Sequence, residues 1–509
     1  MNNITAVFWD RVNLHLTVDS LVEENVFLVC ESGEAHPFTV NGNEASINIT
    51  NLSQGEMLEE GRFYITCGNQ KLTLSDDLIA KIDSLTKVFK YRAGFYALIC
   101  EIGIEEDKSI FLEASYMMKN KKYKRFVRFT EGYGLIGKIK TLIKLLRPLG
   151  VNAIYKVARL FKNKQQKNVF FYSENDNEPK GNLKALYEYF GGIEGINLKG
   201  QFFNVYASHS KLSTVKAIIN IALSDIVVMD NYAAVLNFID LEPDKQLIQL
   251  WHAGVGFKAV GYARFGKEGS AHPFKSSHRK YTCAIVDDER LVDVYKEVFA
   301  VPGDVFKPLG MPRLDGYLNA ETINQVSENI FNEQPQLRNK KIILFSPTFR
   351  GAVASLAYYD YSQLNLDEIY DFCIKNDFAF VIKMHPFVKE KINIPQEYSQ
   401  YILDCSHLDI NSLIYISDIM VTDYSSCAYE FSFFDRPLVF FRYDKALYEY
   451  LRPMHTLDMF TSRQYEVTRF EDLMKVLYAL KDVDVSKRFS CIMERKEKCC
   501  ENIAKEILG

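Results

Sequence analysis

The chain has 509 residues, a formal net charge of −4 at pH 7, 48% hydrophobic residues and 25% charged residues. This composition excludes disordered and fibrous proteins and favours a soluble globular protein of two or three domains, because one core rarely grows to this size. No apolar run reaches the length of about 18 residues that spans a bilayer, and residues 1–17 lack the pattern of a signal peptide, so we expect a cytoplasmic protein.

Cysteine usage indicates a reducing compartment. The ten cysteines are scattered without the paired spacing of a zinc site, and Cys499-Cys500 is the one adjacent pair. We therefore interpret them as free thiols. The sequence predicts no metal site and no certain cofactor, and magnesium bridging a bound pyrophosphate is compatible with it.

Residues 1–118 predict a β-sandwich-like accessory domain. Short apolar runs alternate there with turn dipeptides such as Ser32-Gly33 and Asn41-Gly42. The predicted strands cover residues 6–9, 26–30, 45–49, 62–67, 94–102 and 110–114. No constellation in this stretch suggests chemistry, so binding or assembly is the default function.

Residues 119–167 form a basic segment, in which 15 Lys and Arg stand against one acidic residue, Glu131. Residues 135–146 predict an amphipathic helix, Pro148 and Gly150 interrupt it, and residues 151–161 continue as a second amphipathic stretch. The cations beside the first apolar face are Lys138, Lys140, Lys144 and Arg147. This profile favours helices that lie on an anionic membrane surface. The alternative is an interdomain helix with a solvated basic face, and nucleic acid is disfavoured because the aromatics lack stacking spacing.

From Val169 onward, apolar strands alternate with helical patterns, which is typical of a doubly wound α/β fold. We divide this part into two Rossmann-like halves, residues 168–330 and 331–509. The predicted strands are 169–173, 201–206, 226–229 and 247–251 in the first half, and 341–346, 379–384, 401–404, 419–422 and 438–441 in the second. The predicted helices include 181–190 and 212–223. Two such halves imply a cleft lined by the carboxyl ends of both sheets.

A strand, turn and helix at residues 419–434 predict an anion site. The turn carries Ser425 and Ser426, and Arg436-Pro437 ends the helix. Unpaired N–H groups at the start of such a helix attract negative charge, and the serine hydroxyls add donors. The alternative is an ordinary helix cap with no ligand.

Four further polar residues stand at predicted strand ends or in the loops that follow. His252 and His385 follow strands of opposite halves, and Arg313 and Arg350 could each hold phosphate oxygens through two parallel hydrogen bonds. The alternatives are structural histidines and surface ion pairs, such as Arg313 with Asp315. No phosphate-binding glycine motif of nucleotide hydrolases or dinucleotide oxidoreductases is present, which disfavours those two classes.

Five ordered motifs resemble the CDP-glycerol glycerophosphotransferase family, which includes teichoic acid polymerases and primases and related capsule polymerases. The match extends over roughly residues 169–448. The motifs are Gln249-Leu-Trp-His252 with Lys258, Gly310-x-Pro-Arg313-x-Asp315, Ser346-Pro-Thr-Phe-Arg350, Lys383-Met-His385-Pro386 and Asp418-x-x-Val-Thr-Asp-Tyr-Ser-Ser426.

The resemblance implies a GT-B fold, an α/β enzyme of two Rossmann-like halves. It also implies transfer of glycerol phosphate or ribitol phosphate from CDP-glycerol or CDP-ribitol to a hydroxyl of a lipid-linked teichoic acid or capsule polymer, with release of CMP. His252 would be the general base and His385 would help CMP to depart. The residues that would contact the donor are Arg313, Arg350, Thr422, Ser425, Ser426 and Glu430, and those on the acceptor side are Gly254 and Lys258.

Two departures from the family pattern bear on specificity. The chain reads Ala-Gly-Val-Gly-Phe-Lys258 after His252, where the family usually has Gly-Thr-Pro-Leu-Lys, and the expected Pro-Gly-Pro segment is missing after Asp444. The rival interpretations are a GT-B glycosyltransferase that uses a nucleotide sugar and a non-catalytic membrane adaptor. We expect a peripheral protein on the inner face of the cell membrane, and an oligomer is compatible with the sequence.

Overall fold

The computed structural model describes residues 3–19, 26–53, 55–79, 85–91, 96–117, 135–204, 211–252, 258–267, 270–274, 276–351, 356–452, 454–455, 465–482 and 496–509. These residues build four sheets, of which the first two are mainly antiparallel and the last two are parallel throughout. The predicted α/β alternation after residue 168 is thereby confirmed.

The N-terminal residues form two sheets around one core. Buried and partly exposed residues alternate along β2, so one face of the strand is apolar and packs against this core. The sheet orders are β5-β6-β2-β1-β9 and β10-β11-β12-β7-β3-β4, with β8 beside β7. The elements are β1 (Asn3–Asp10), β2 (Asn13–Val18), β3 (Val26–Cys30), β4 (Ala35–Pro37), β5 (Thr39–Asn41), β6 (Glu44–Asn48), β7 (Gly61–Cys67), β8 (Gln70–Lys71), β9 (Thr73–Leu74), α1 (Asp76–Ile79), β10 (Lys87–Lys90), β11 (Ala97–Ile104) and β12 (Ile110–Met117).

A single long helix, α2 (Leu135–Arg159), follows the N-terminal sheets. It continues through Pro148, so the predicted interruption there is wrong. The C-terminal part of α2 packs on the protein: Val151 and Tyr155 are buried, and the helix contacts a later helix, α4 (Lys211–Leu223). These tertiary contacts offset the backbone hydrogen bond that proline cannot make. The part of the predicted basic segment at residues 118–134 lies outside the described residues.

The first parallel sheet has the strand order β14-β13-β15-β16-β17-β18. Its strands read as continuous apolar runs because helices cover both faces. The elements are β13 (Lys167–Ser173), α3 (Gly181–Gly191), β14 (Ile196–Phe202), α4, β15 (Ile226–Met229), β16 (Gln246–Gln249), β17 (Cys283–Ile285), α5 (Val292–Phe299), β18 (Phe306–Lys307), α6 (Leu314–Tyr317) and α7 (Ala320–Glu333).

The second parallel sheet has the order β21-β20-β19-β22-β23-β24, which is the strand order of a dinucleotide-binding Rossmann fold. Its strands at 419–422 and 438–441 begin and end at the residues that the sequence predicts. The elements are β19 (Lys341–Phe345), α8 (Leu366–Asn376), β20 (Phe378–Ile382), β21 (Ile402–Asp404), α9 (Ile410–Ile416), β22 (Ile419–Thr422), α10 (Cys427–Ser432), β23 (Leu438–Phe441), α11 (Lys445–Leu451), β24 (Tyr465–Val467), α12 (Phe470–Leu480) and α13 (Cys499–Leu508).

The last helix, α13, follows the second half in sequence but lies on the first half. It contacts α3 and α6, and Asp315 of α6 accepts hydrogen bonds from the backbone N–H groups of Cys499 at 2.7 Å and Cys500 at 2.9 Å. The C-terminal helix therefore ties the two halves together. Among the helices in the described ranges, none combines the length and the apolar character needed to cross a membrane.

Candidate active site

The polar motifs meet at the carboxyl ends of the parallel strands. In the second sheet β19 and β22 are neighbours, but the chain continues from β19 to one side of the sheet and from β22 to the other. Such a reversal of strand order opens a crevice, which is the usual ligand position in open α/β sheets. Residues 346–350 follow β19 and residues 423–426 follow β22, so both loops lie at this crevice.

His252 is positioned by a strained turn after β16. Trp251 has a φ of +54°, which is rare for a large side chain. Its N–H donates to the Gln249 side chain at 2.8 Å, and its carbonyl oxygen accepts from Asn182 Nδ2 at 2.9 Å. The His252 ring lies beside this turn with Nδ1 3.3 Å from the carbonyl oxygen of Asp230. These contacts hold the imidazole in one orientation.

The protonation state of His252 follows from its surroundings. Desolvation lowers its pKa to about 4, and the charges of Arg313 and Lys258 act in the same direction. Surrounding protein atoms disfavour the charged ring even though part of the residue is exposed, so the imidazole is neutral at physiological pH. A carbonyl oxygen only accepts, so Nδ1 carries the proton and Nε2 presents a lone pair.

His385 has the opposite tautomer. Its Nδ1 accepts a hydrogen bond from the backbone N–H of Phe387 at 3.2 Å, so the proton of the neutral ring is on Nε2. The ring packs on Phe349 with 4.8 Å between centroids. Desolvation and then the charge of Lys258 lower the pKa of His385 to about 4. One histidine thus offers an acceptor and the other offers a donor.

Lys258 is near enough to both histidines for its charge to affect each ring. Desolvation lowers its pKa to about 8, opposed by the negative charge of Asp423 and reinforced by Arg452. The charge of Lys258 in turn lowers the pKa of both His252 and His385. The three groups come from different halves of the chain, and they face one crevice.

Arg313 and Glu430 join the two halves beside His252. They form an ion pair whose side chains are 15% and 8% exposed, and Arg313 Nη1 also donates to the carbonyl oxygen of His252 at 3.1 Å. Glu430 Oε2 and Arg313 Nε are buried without a hydrogen-bond partner among the described residues. Arg313 therefore forms a buried pair with Glu430 rather than a surface pair with Asp315. Each side chain of this pair keeps one polar atom without a partner among the described residues.

The predicted phosphate contact of Arg350 does not fit its geometry. The guanidinium is buried and holds Asp444 through two hydrogen bonds of 2.6 and 2.8 Å, Asp423 through one of 2.8 Å and the carbonyl oxygen of Thr348 through one of 2.6 Å. All three nitrogens therefore already donate to protein groups. Arg350 organises the turn at Asp423 rather than meeting a ligand directly.

The predicted donor contact of Thr422 also needs correction, whereas the serines after it fit their prediction better. Thr422 is buried and its hydroxyl donates to the carbonyl oxygen of Ser346 at 2.6 Å, so that proton is not available to a phosphate. Ser425 and Ser426 are half-buried, and Ser426 precedes α10 without using its side chain as a helix cap. The helix has six residues, whereas the sequence predicts that it continues from residue 427 to 434, so its dipole adds little and the hydroxyls matter more.

Arg452 is a cleft residue that the sequence interpretation missed. It lies over the Phe349 ring, 5.1 Å from its centroid, and donates to the carbonyl oxygen of Gly351 at 2.7 Å. Its charge lowers the pKa of both Lys258 and His385. Arg452 follows a helix rather than a strand, so the strand-end rule that found the histidines could not find it.

Gly254, predicted on the acceptor side, lies outside the described residues. Among the described residues, one group of three metal-ligating side chains is close enough to share an ion, namely Glu34, His36 and Glu56. It lies in the N-terminal sheets, away from the two histidines.

Two parallel sheets, with His252 and His385 after strands of opposite sheets and Lys258, Arg313 and Arg452 near them, define an α/β enzyme of two Rossmann-like halves. The family model described as CDP-Glycerol:Poly(glycerophosphate) glycerophosphotransferase matches residues 154–501. The chain belongs to this family.

Sequence relatives come from teichoic acid synthesis. The chain is 30% identical over 302 residues to teichoic acid ribitol-phosphate polymerase TarK of Staphylococcus aureus, covering 57% of this chain and 58% of that protein. It is 33% identical over 293 residues to teichoic acid poly(ribitol-phosphate) polymerase of Bacillus spizizenii, covering 57% and 47%. A teichoic acid glycerol-phosphate primase of the same species is 30% identical over 245 residues, covering 47% and 62%. The chain thus spans about half the length of the curated relatives that it matches.

A solved structure shares the fold. The wall teichoic acid polymerase TagF superposes with a TM-score of 0.57 at 19% sequence identity, covering 77% of this chain and 98% of that one. A histidine-to-asparagine variant of TagF soaked with CDPG gives a TM-score of 0.55 at 17% identity with the same coverage. At these identities the likeness shows the fold alone.

Proposed function

We propose that this protein transfers a polyol phosphate from a CDP-polyol to a hydroxyl of a teichoic acid or capsule-type polymer and releases CMP. The observation that carries the proposal is the pair of neutral histidines of opposite tautomer, His252 and His385, with Lys258 near enough to lower the pKa of both. Family membership and the teichoic acid enzymes among its relatives support the same chemistry.

His252 serves as the general base in this proposal. Its Nε2 lone pair takes the proton of the acceptor hydroxyl while that oxygen attacks the phosphorus that bears the polyol. A new phosphate ester bond forms, the bond to the oxygen of CMP breaks, and the electron pair leaves with CMP. Because such transfer involves little covalent chemistry by the protein, orientation of the hydroxyl contributes most.

The opposite wall of the cleft holds the donor. His385 Nε2–H donates to a pyrophosphate oxygen, and the Ser425 and Ser426 hydroxyls donate to the same group. Lys258 and Arg452 neutralise the charge that develops on the leaving phosphate. Donor contact by Arg313 is limited by its ion pair.

Glu430 remains our candidate for the ribose hydroxyls. Its Oε1 is held by Arg313, while its buried Oε2 has no partner among the described residues. A carboxylate oxygen so placed accepts hydrogen bonds from vicinal hydroxyls and would gain the partner that burial demands.

The donor polyol is glycerol or ribitol, and the acceptor is a lipid-linked polymer. The ribitol-phosphate polymerases align over 302 and 293 residues and the glycerol-phosphate primase over 245, which makes CDP-ribitol the first donor to test. Release of CMP, measured with added magnesium and with a chelator, tests whether magnesium bridging the pyrophosphate takes part.

We further propose the organisation of the remaining chain. Residues 1–118 form the accessory domain, residues 119–167 contain the membrane-associating helix, and residues 168–330 and 331–509 form the acceptor and donor halves. Support for membrane association comes from α2, where Ile143 is 60% and Leu149 69% exposed. An apolar groove of about 510 Å³ lies between α2 and α4. Exposed apolar area beside basic residues suits a peripheral protein on an anionic membrane.

The test is release of CMP by purified protein from CDP-ribitol, CDP-glycerol and UDP-sugars, with mass analysis of the extended acceptor. Replacement His252→Ala should reduce turnover at least 100-fold, because general base catalysis typically contributes about 10² to 10⁴. Donor binding and the melting temperature should stay close to those of the wild type. His407→Ala is the matched control, since that exposed histidine pairs with Glu333 and is not among the predicted site residues.

Each outcome decides between the candidate functions. An unchanged rate in the His252→Ala protein would remove this residue from the mechanism. Transfer of sugar from a UDP-sugar without CMP release would identify a glycosyltransferase. Any CMP release that depends on an acceptor would exclude a non-catalytic adaptor.

A further inference from the structure

Arg11 extends from the N-terminal sheets into the catalytic part of the chain. It lies in the turn between β1 and β2 with a φ of +51°, a conformation that non-glycine residues seldom adopt. Its Nε and Nη2 donate to the two carboxylate oxygens of Glu297 on α5 at 2.7 and 3.1 Å. The side chains are 13% and 10% exposed, so this two-bond pair is largely shielded from water.

The same guanidinium also reaches the second half of the chain. Arg11 Nη1 donates to the carbonyl oxygen of Met454 at 3.0 Å, and Nδ1 of the adjacent His455 lies 3.7 Å from Glu297. Desolvation, with the charge of Arg11 adding to it, lowers the pKa of His455 to about 3, so this imidazole is neutral and Arg11 supplies the positive charge. Three separate parts of the chain therefore meet at one arginine.

Met454 connects this cluster to the cleft. Its backbone pairs in an antiparallel bridge with Lys258, the lysine whose charge affects both histidines. Arg11 therefore holds the carbonyl group of Met454, the residue whose backbone pairs with that of Lys258. A shift of Met454 by a fraction of an ångström would be passed to Lys258 through the paired backbones.

We infer that Arg11 is a positioning residue for the transfer reaction, through which the N-terminal domain holds Lys258 in place beside the two histidines of the cleft. The inference rests on the proposed function for its effect on rate, but the placement of Lys258 is measurable without turnover. It also gives the N-terminal sheets a role in the reaction, because an arginine of that domain completes the support of the cleft.

The charge environment of Lys258 provides the readout. Among the described residues, Asp423, Arg452, Cys427 and Arg350 affect the pKa of Lys258, and its charge affects His252 and His385. Burial keeps its pKa near 8, so the charged form is present below that pH and is lost as the pH rises through it. Released into solvent, the lysine would return toward an ordinary pKa of about 10.4.

The experiment compares Arg11→Ala and Arg11→Lys with the wild type and with Arg62→Ala. Arg62 is a matched control because it forms two carboxylate pairs on the N-terminal sheets with Glu105 and Glu113. We expect kcat/KM of the Arg11→Ala protein to fall at least tenfold, with its alkaline limb displaced upward by a pH unit or more. Arg11→Lys should restore part of the rate, since one ammonium can still reach Glu297 or Met454.

A second measurement tests Lys258 directly. Trace acylation of the folded protein across pH, followed by peptide mass analysis, reports the pKa of Lys258 in each variant. An upward shift in the Arg11→Ala protein but not in Arg62→Ala supports the inference even if the wild type transfers no polyol phosphate, an outcome that would reject the proposed function alone. An unshifted pKa and alkaline limb in Arg11→Ala would overturn the inference, including where the rate and melting temperature both fall, because that result describes a merely structural contact.

Discussion

Arg350 shows how burial changes the role of a residue at the scale of one side chain. A guanidinium after a strand end is a plausible phosphate ligand, and sequence alone gives no reason to reject it. The structure surrounds it with Asp423, Asp444 and a backbone carbonyl at hydrogen-bonding distance. Buried charge must be paired, so the arginine satisfies these carboxylates first.

Replacement Arg350→Met tests this role. Loss of the cation leaves Asp423 and Asp444 without their counter-ion, and breaking a buried pair costs about 3 to 5 kcal/mol. We expect the free energy of unfolding in urea to fall by that amount. Arg338→Met is the control, because Arg338 pairs with Glu328 at the surface and should cost about 0 to 1 kcal/mol. Full stability with a raised KM for the CDP-polyol would instead restore the predicted donor contact.

Helix α2 illustrates what is decided at the scale of an element. The sequence shows an amphipathic pattern, but two partners can cover an apolar face, namely the protein or a membrane. The structure divides the helix: Val151 and Tyr155 are buried, while Ile143 and Leu149 stay exposed. The protein therefore covers part of the apolar face, and a membrane partner for the exposed part stays a prediction.

Neutralising the charges of α2 tests whether this helix binds a membrane or only packs on the protein. Changing Lys138, Lys140, Lys144 and Arg147 to Gln should weaken binding to phosphatidylglycerol vesicles more than tenfold at low salt in a flotation assay, because each cation near the surface contributes about 1 kcal/mol. The control changes three exposed cations of the second half, Lys375, Lys389 and Lys475, to Gln. Equal binding by both variants would assign α2 to packing alone.

The whole molecule is held together by contacts that cross between its parts. Arg313 and Glu430 link the two halves at the cleft, Arg11 links the N-terminal sheets to both, and α13 returns to the first half. A cleft enzyme of two halves needs such ties, because the chemistry depends on groups from each side being held at a fixed separation.

Asp315→Ala tests the return of α13. The carboxylate accepts from the first two N–H groups of the helix, and loss of such a cap costs about 1 kcal/mol. We expect a matching decrease in the free energy of unfolding and faster proteolytic release of the C-terminal helix. Asp304→Ala, at an exposed position of the same half, should leave both measurements unchanged. Equal behaviour of the two variants would show that apolar packing alone retains α13.

The sequence by itself determined the α/β alternation and the family. It also determined the strands that precede His252, His385 and the Ser425-Ser426 turn. Local periodicity and residues close in the chain are enough for these features. Only the tertiary structure decided that Arg350 pairs with two carboxylates, that Arg452 enters the cleft and that Arg11 supports Lys258 from another sheet. The partners of these arginines lie 73 to 443 residues away in the chain. Burial and charge pairing at such separations are set by packing rather than by local pattern.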